Sequence, residues 1–491
     1  MRIIAVRSQR SMPGTTPARA ECRTFGPLSS KRNIFGLSGV VDRGLTKRST
    51  PSGIQLLALS VPTWVFAGYD LARRTFLAAY LSYDLGLPIA VVGWLVILAG
   101  LAAIPAEMIA GALCDRGPGR FGPRVSWMLC GTALLVVGGV MMLCLDRTSS
   151  RPPIALALVA LVVGWAICNV THGAWALEAT RDGAGRARVF GLRSLAGILG
   201  AVAFSLIGAL HVGHWSPFAA ILLVVSVAAP LAHAGLILLV PDCAPPARAR
   251  HRGTLLEPVR LLFANRENRR LAALFALNGA HTAVTGTAYL YLVGDALALP
   301  GWGPTGVLVQ SACAAIGIAV AIACGARVPP ARTLHAIFWV NLLLALALTA
   351  LPAGRPVVLI LWTALFGLVS AIDFMALRLL LGERLDLAAR TGDMNARAAA
   401  HYAGFHLPFN LCGALATGLL FAGYRLLGFD PATPHGTEHS YLAAQLMPAA
   451  CAALLMATSI RMLWSPAAKG PTTPPGKSSP IGSIFTQPEQ L

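Results

Sequence analysis

Ionisable side chains within long apolar segments are the residues of this sequence best suited to chemistry. Asp70 is followed by Arg73 and Arg74, and helical spacings of three and four residues place the carboxylate beside both guanidinium groups. A charged residue in hydrocarbon costs at least about 2.5 kcal/mol, so such residues usually pair or line a polar cavity. The spacing predicts either an internal ion pair that eases insertion or a site, formed by Asp70 and Arg74, that binds a polar ligand.

Glu107 is a second carboxyl group in an apolar run, and no basic residue lies within one helical turn of it. A carboxyl group that is removed from water without a cationic partner is suited to binding and releasing a proton. Glu107 is therefore a candidate site for a coupling ion. The alternative is a structural role, in which hydrogen bonds from neighbouring helices satisfy the group.

Asn169, His172 and Trp175 recur every three residues and share one broad helical face. An amide, an imidazole and an indole can hold a polar ligand by hydrogen bonds and stacking. Hydrogen bonds between helices explain the same pattern equally well. Asp373 is the strongest candidate for ligand binding in the second half of the chain, and a structural role explains it equally well. For the other buried polar residues of this half, a structural role is the better interpretation; they are Asn278, His281, His401, His406 and Asn410.

The composition is that of an integral membrane protein. The chain has 491 residues, of which 56% are hydrophobic and only 12% are charged, whereas a typical soluble domain has about 25% charged residues. The net charge is +19, but the basic residues lie between the apolar runs, so they indicate membrane topology rather than nucleic-acid binding. Ten scattered cysteines show no metal-ligand spacing, and we expect no cofactor and no metal.

Twelve apolar runs are each long enough to cross a bilayer, which predicts an all-α membrane protein with two six-helix halves. The predicted spans are 54–83, 88–114, 125–145, 154–179, 191–212, 216–240, 271–296, 304–326, 333–351, 356–381, 398–427 and 441–464. Two groups of six helices on either side of a central loop form the layout of the major facilitator fold.

Arginines predict the orientation, because 18 lie in one set of loops and 4 in the opposite set. Both termini and the central loop are then cytoplasmic in a multi-pass protein of the inner membrane. The predicted segments are a disordered basic tail (1–53), an N-terminal bundle (54–240), a cytoplasmic linker (241–270), a C-terminal bundle (271–464) and a disordered tail (465–491).

Enzyme motifs give no convincing catalytic set. The sequence contains neither a P-loop nor a G-x-S-x-G motif. His435, Glu438 and His439 match a zinc-peptidase pattern by letter, but they lie in a loop rich in Pro and Gly instead of on a helix. We therefore expect a protein that is not an enzyme.

Three blocks of polar residues and glycines follow a recognisable order along residues 54–464. The first block contains an acidic residue, a glycine and an Asp-Arg turn: Glu107, Gly111, Asp115, Arg116 and Gly122. The second block begins at a helical asparagine and ends at an arginine: Asn169, Gly173, Glu178, Thr180, Asp182, Arg186, Arg188 and Arg193. The third block has two acidic residues and a glycine before another helix: Glu383, Asp386, Gly392, Asn410, Gly423 and Tyr424.

This order resembles the glycoside-pentoside-hexuronide:cation symporters, the melibiose-permease-like branch of the major facilitator superfamily. The resemblance implies a secondary transporter for a sugar or glycoside, and it adds Arg193 to the candidate substrate residues. It also implies a set of cytoplasmic gating contacts, formed by Gly111, Asp115, Arg116, Gly122, Glu178, Arg186, Glu383, Asp386 and Gly392. Two positions depart from the family pattern: Ala103 replaces a second acidic residue of its cation site, and Asn410 replaces a lysine.

These departures favour proton coupling or no coupling over sodium, because sodium requires several oxygen ligands in one cage. We expect a small-molecule substrate, contact with membrane lipids, a monomeric state and no nucleic acid. One alternative keeps the fold but changes the substrate to a lysolipid or another amphipathic solute. The other alternative is a membrane sensor or scaffold that transports nothing.

Overall fold

The computed structural model describes residues 52–114, 122–179, 183–210, 215–242, 257–325, 328–390, 398–431 and 441–464. All regular secondary structure in these ranges is helical, which confirms the predicted all-α class. The two predicted tails lie almost entirely outside the described residues, as does much of the predicted central linker.

Twelve long helices correspond to the twelve predicted spans within the described ranges. They are α1 (Gly53–Thr75), α2 (Ile89–Cys114), α3 (Pro123–Leu143), α4 (Arg151–Glu178), α5 (Gly183–Ala209), α6 (Pro217–Leu239), α7 (Arg266–Tyr291), α8 (Trp302–Gly325), α9 (Pro330–Ala347), α10 (Pro356–Arg390), α11 (Ala398–Leu426) and α12 (Met447–Trp464). Shorter helical segments are Leu77–Ala79, Glu257–Phe263, Leu348–Ala350 and three π-turns, Tyr80–Asp84, Leu292–Ala296 and Leu442–Leu446.

Eleven of the described helices are long and apolar enough to cross a membrane, and α7 is the additional helix. α7 begins at Arg266, five residues before the predicted start at Leu271, because its first turn is polar. Asn265 caps this turn, since its side-chain oxygen accepts a hydrogen bond from the Asn268 backbone N–H at 2.7 Å. Apolar content alone cannot locate a helix start whose first turn contains charged residues.

The helices pack in a pattern that repeats after six helices. α1 packs on α5 and α6, α4 packs on α2 and α3, and α3 packs on α6. The corresponding pairs recur as α7 with α11 and α12, α10 with α8 and α9, and α9 with α12. We call α1–α6 the N-terminal group and α7–α12 the C-terminal group. The groups meet mainly where α2 packs on α11 and α5 packs on α8, two contacts that the same repeat relates.

Glycines allow equivalent helix pairs in the two groups to approach closely. A Cβ atom on Gly200 of α5 would lie 2.1 Å from the backbone oxygen of Trp64 on α1. A Cβ atom on Gly279 of α7 would lie 2.1 Å from the backbone oxygen of Phe409 on α11. Both distances are far below van der Waals contact, so these positions require a residue without a side chain.

The substitution Gly200→Ala is expected to lower the thermal stability of the purified protein, because α1 and α5 must separate to admit the methyl group. Overpacking of this kind costs roughly 1–3 kcal/mol. Gly235→Ala is the matched control, since no atom lies within 4 Å of the Cβ position on α6. The measurement is the apparent melting temperature in one detergent. Equal melting temperatures for the two variants would contradict the close packing of α1 on α5.

Candidate functional site

The ion pair predicted from spacing is present on α1. Asp70 Oδ1 lies 2.8 Å from Arg73 Nη2, and Asp70 Oδ2 lies 2.9 Å from Arg74 Nε. The side chains of Asp70, Arg73 and Arg74 keep 26%, 17% and 21% of their surface exposed. One carboxylate therefore pairs with two cations, which leaves a net positive charge, and all three groups remain accessible to a small polar molecule.

The two guanidinium groups extend to different parts of the bundle. Arg73 lies over the ring of Trp165 on α4, 5.2 Å from the ring centroid. Arg74 lies over the ring of Phe409 on α11, 5.4 Å from the centroid, and its backbone oxygen accepts a 3.5 Å hydrogen bond from Thr287 on α7. Cation–π contacts of this kind hold a cation where little water is available. α1 thus contacts the N-terminal group through Arg73 and the C-terminal group through Arg74.

Glu107 joins these residues from α2. The side chain of Asn410 on α11 lies close enough to interact with the Glu107 carboxyl group, and so do the charged groups of Arg73, Asp70 and Arg74. Glu107 has no basic neighbour on its own helix, and its cationic neighbours come from α1. We call Asp70, Arg73, Arg74, Glu107 and Asn410 the charge cluster.

Arg378 on α10 is a neighbour of the charge cluster that sequence reasoning missed. It lies over the Phe374 ring, 4.0 Å from the centroid. It also interacts electrostatically with His406 on α11, which in turn interacts with Arg74 and Asp70. An arginine inside the predicted span 356–381 was the signal that could have identified it. With Arg378 included, three guanidinium groups and two carboxyl groups lie in this region.

His172 and Arg193 link helices within the N-terminal group. His172 is fully buried, and its Nε2 lies 2.8 Å from the backbone oxygen of Leu59 on α1. Arg193 on α5 donates from Nη2 to His172 Nδ1 at 3.3 Å and from Nε to Thr63 Oγ1 at 3.2 Å. In this conformation both residues form hydrogen bonds between helices. For His172 this matches the structural alternative to ligand binding for the face of Asn169, His172 and Trp175.

The remaining candidates of that face differ in exposure. Trp175 is buried, with 2% of its surface exposed, whereas Asn169 is half-buried on α4, one turn after Trp165. Trp165 packs against Arg73 of the charge cluster, and Asn169 lies one helical turn after Trp165 on the same side of α4. Asn169 is therefore the residue of this face that lies next along α4 from that contact.

Asp373 lies within the C-terminal group. It is buried on α10, and its Oδ2 accepts hydrogen bonds from Asn278 on α7 and Asn341 on α9. The charge cluster and Asp373 are therefore two different polar environments, one between the groups and the other inside one group.

The expected gating residues are only partly described. Asp115, Arg116 and Gly392 lie outside the described residues, and so do the side chains of Glu178, Arg186 and Asp386. Gly111 packs on α4, where its Cβ position lies 3.6 Å from Val170. Glu383 is exposed on α10, and the next residue, Arg384, forms an ion pair with Glu267 on α7.

The residue before α3 must be a glycine, and it is Gly122. Its φ angle is +110°, and a Cβ atom there would lie 2.2 Å from Asp242 Oδ2. That oxygen accepts hydrogen bonds from the backbone N–H groups of Arg124 at 2.8 Å and Val125 at 3.1 Å. Asp242, which follows α6, therefore caps the N-terminus of α3 across the fold, and sequence reasoning missed it because the cap is distant in the chain.

The ends of α1 and α7 close one end of the interface between the groups. Ser82 Oγ lies 2.9 Å from the hydroxyl oxygen of Tyr291, and the Tyr83 hydroxyl donates to Asp295. The Tyr291 ring also contacts aromatic rings that follow or belong to α11, namely Phe421, Tyr424 and Phe429. We call this set of contacts the closed end.

The substitution Tyr83→Phe is expected to loosen the closed end, because it removes a hydrogen bond between the two groups. Hydrogen–deuterium exchange should then increase in both segments 80–87 and 291–297. Tyr80→Phe is the matched control, since the Tyr80 hydroxyl donates to the Met142 backbone oxygen at 3.1 Å inside the N-terminal group. We expect this control to increase exchange in segment 80–87 alone. Unchanged exchange in segment 291–297 of Tyr83→Phe would show that this bond does not hold the groups together.

These features define the class of the protein. It is an integral, multi-pass membrane protein with two similarly packed helix groups, polar residues between them and one closed end, which is the architecture of a secondary transporter. Residues 60–463 match the family described as MFS/sugar transport protein, and the chain belongs to this family. The expectation of a protein that is not an enzyme agrees with this assignment.

Solved structures share the fold at low sequence identity. The nucleoside transporter NupG aligns with a TM-score of 0.59 and 15% identity, over 84% of this chain and 100% of that chain. A D-xylose-proton symporter aligns with a TM-score of 0.61 and 13% identity, over 84% and 97%. A variant of the peptide transporter POT aligns with a TM-score of 0.57 and 16% identity, over 83% and 93%. No curated protein sequence matches the chain.

Proposed function

We propose that this protein carries a sugar or glycoside across the inner membrane by alternating access, and that Glu107 binds a coupling proton. The observation that carries the proposal is the position of Glu107 beside Asn410, because these residues belong to opposite groups and interact next to the Asp70 ion pair. The family description and the shared fold of a D-xylose-proton symporter support a sugar as the substrate and a proton as the coupling ion.

The charge cluster suits a ligand rich in hydroxyl groups. The Asp70 carboxylate accepts hydrogen bonds, and the guanidinium groups of Arg73 and Arg74 donate them, so both kinds of sugar hydroxyl interaction are available. The ring of Trp165 provides an apolar face beside these groups. Such a combination of polar groups and aromatic surface is typical of small-molecule sites. Asn169 is proposed to extend this surface along α4.

Glu107 has no second carboxyl group on its own helix, which favours a proton over sodium as the coupling ion. The position one turn before Glu107 is Ala103, which is buried. Within the described residues, no group of three or more His, Cys, Asp and Glu side chains could hold a metal ion. A proton requires one basic oxygen, whereas sodium requires several oxygen ligands around one space. When Glu107 is neutral, the positive groups of α1 lose a counter-charge, which links the proton to the substrate residues.

The arginine bias supports an orientation in which α1 begins in the cytoplasm. The closed end then faces the outside of the cell, and the substrate enters or leaves the charge cluster from the cytoplasmic side in this conformation. Rocking of the two groups about the α2–α11 and α5–α8 contacts would open the closed end and close the other. We propose that the protein acts as a monomer in contact with membrane lipids.

Uptake into vesicles that contain the purified protein tests the coupling proposal. With a panel of sugars and glycosides, Glu107→Gln is expected to abolish accumulation driven by a pH gradient and to retain counterflow exchange, because only the proton is lost. Asn410→Lys should have the same effect, since it places a permanent cation beside Glu107. Glu267→Gln is the control, because Glu267 pairs with Arg384 away from the charge cluster. Full dependence on pH and sodium in Glu107→Gln would overturn the coupling role of Glu107.

A lysolipid or another amphipathic solute is the alternative substrate. The observation in favour is that guanidinium groups, a carboxylate and aromatic rings occur together. Guanidinium groups can bind the phosphate of a lysolipid, and a carboxylate with aromatic rings can bind its quaternary ammonium group. A thermal-shift screen in which lysolipids stabilise the protein and sugars do not would select this alternative. A sensor or scaffold predicts that no solute of either class crosses the vesicle membrane.

A further inference from the structure

Asp373 lies in a buried polar set inside the C-terminal group. Asn278 Nδ2 on α7 donates to Asp373 Oδ2 at 2.5 Å, and Asn341 Nδ2 on α9 donates to the same oxygen at 3.5 Å. Asp373, Asn278 and Asn341 expose 3%, 2% and 1% of their surface. Three helices therefore supply one carboxyl group and two amides to a site that bulk water does not reach.

Two oxygen atoms of this set have no hydrogen-bond partner among the described residues. They are Asp373 Oδ1 and Asn341 Oδ1, and both are buried. An ionised carboxylate and an amide oxygen can only accept hydrogen bonds, so neither atom can satisfy the other. Each buried unsatisfied polar group costs about 1–3 kcal/mol, and an unpaired buried charge costs more. One proton on Asp373 supplies the donor that this pair of acceptors requires.

The surroundings of Asp373 provide no counter-charge in the described part of the chain. The ion pairs there join Asp70 to Arg73 and Arg74, and Glu267 to Arg384. α7 contributes Asn278 and the buried His281, α8 contributes no charged side chain, and α9 contributes Asn341. Of the other titratable groups on these elements, His335 of α9 packs on Trp339 and Trp464, and Arg378 of α10 packs on Phe374.

A cavity lies beside Asn341, whose amide donates to Asp373. Most of its lining is apolar, and its polar side chains are those of His281, Thr285, Tyr289 and Asn341. The Tyr289 hydroxyl is buried and has no hydrogen-bond partner among the described residues. A cavity that contains such polar groups can hold a water molecule, which satisfies them and can pass a proton.

We propose that Asp373 is a proton-binding site of the C-terminal group, separate from the charge cluster, in which Asp373 and Asn341 share one proton. Water in the cavity beside Asn341 delivers the proton as hydronium, and the carboxyl group returns it to water as hydronium, so the exchange requires no other reactant. The inference goes beyond the proposed function, because it depends neither on a sugar substrate nor on Glu107.

Infrared spectroscopy of the purified full-length protein tests this proposal without any solute. At neutral pH the wild type should show the band of a protonated carboxyl group, and Asp373→Asn should lose it. Asn341→Ala should keep the band but shift its frequency, because the proton loses its acceptor. Asp373→Asn keeps the shape of the side chain, and a melting curve checks that each variant is folded.

Asp146→Asn is the control for a carboxyl group outside the helices. Hydrogen bonds from Thr148 and Ser149 hold the pKa of the Asp146 carboxyl group below its ordinary value, so this variant should leave the band unchanged. An unchanged band in Asp373→Asn would overturn the proposal, as would a wild-type spectrum without the band at neutral pH. Because Glu107→Gln can be recorded in the same way, a band that belongs to Glu107 is distinguishable from one that belongs to Asp373.

Discussion

The pairing of one carboxylate with two guanidinium groups near the end of α1 is the interaction on which the candidate site depends. Charged side chains in hydrocarbon cost about 2.5–3.5 kcal/mol each when isolated, and Asp70 offsets this cost for Arg73 and Arg74 together. Aromatic rings from α4 and α11 then cover the two cations. α1 is thereby connected to both helix groups, and its paired charges can face a polar solute.

The interface between the groups combines close helix packing with polar contacts of different kinds. Gly93 and Gly100 of α2 face Phe421 and Ala414 of α11, where small residues permit close approach. At the closed end, Tyr83 and Asp295 contribute a directional hydrogen bond. Hydrogen bonds and small-residue contacts can separate and form again without leaving a large apolar surface uncovered, which is what a rocking interface requires.

Glu107 and Asp373 show how the environment assigns different chemistry to two carboxyl groups. Glu107 lies between the groups, where charged residues of α1 and an amide of α11 surround it. Asp373 lies within one group, where the hydrogen bonds it accepts from described residues come from two amides. Movement of the groups changes the neighbours of Glu107 directly, whereas it reaches Asp373 only through displacement of α10 relative to α7 and α9. A proton at each position would therefore respond to different steps of a transport cycle.

The sequence by itself determined the helical class, the approximate positions of the twelve spans, the Asp70 ion pair and the family. Apolar length and i, i+4 spacing are local properties, so they can be read without the fold. Only the tertiary structure decided the neighbours of Glu107, the approach of Arg378 to His406, the Asp242 cap of α3 and the contact of Asp373 with Asn341. These contacts join residues on different helices, and which helix faces meet depends on packing that no local pattern encodes.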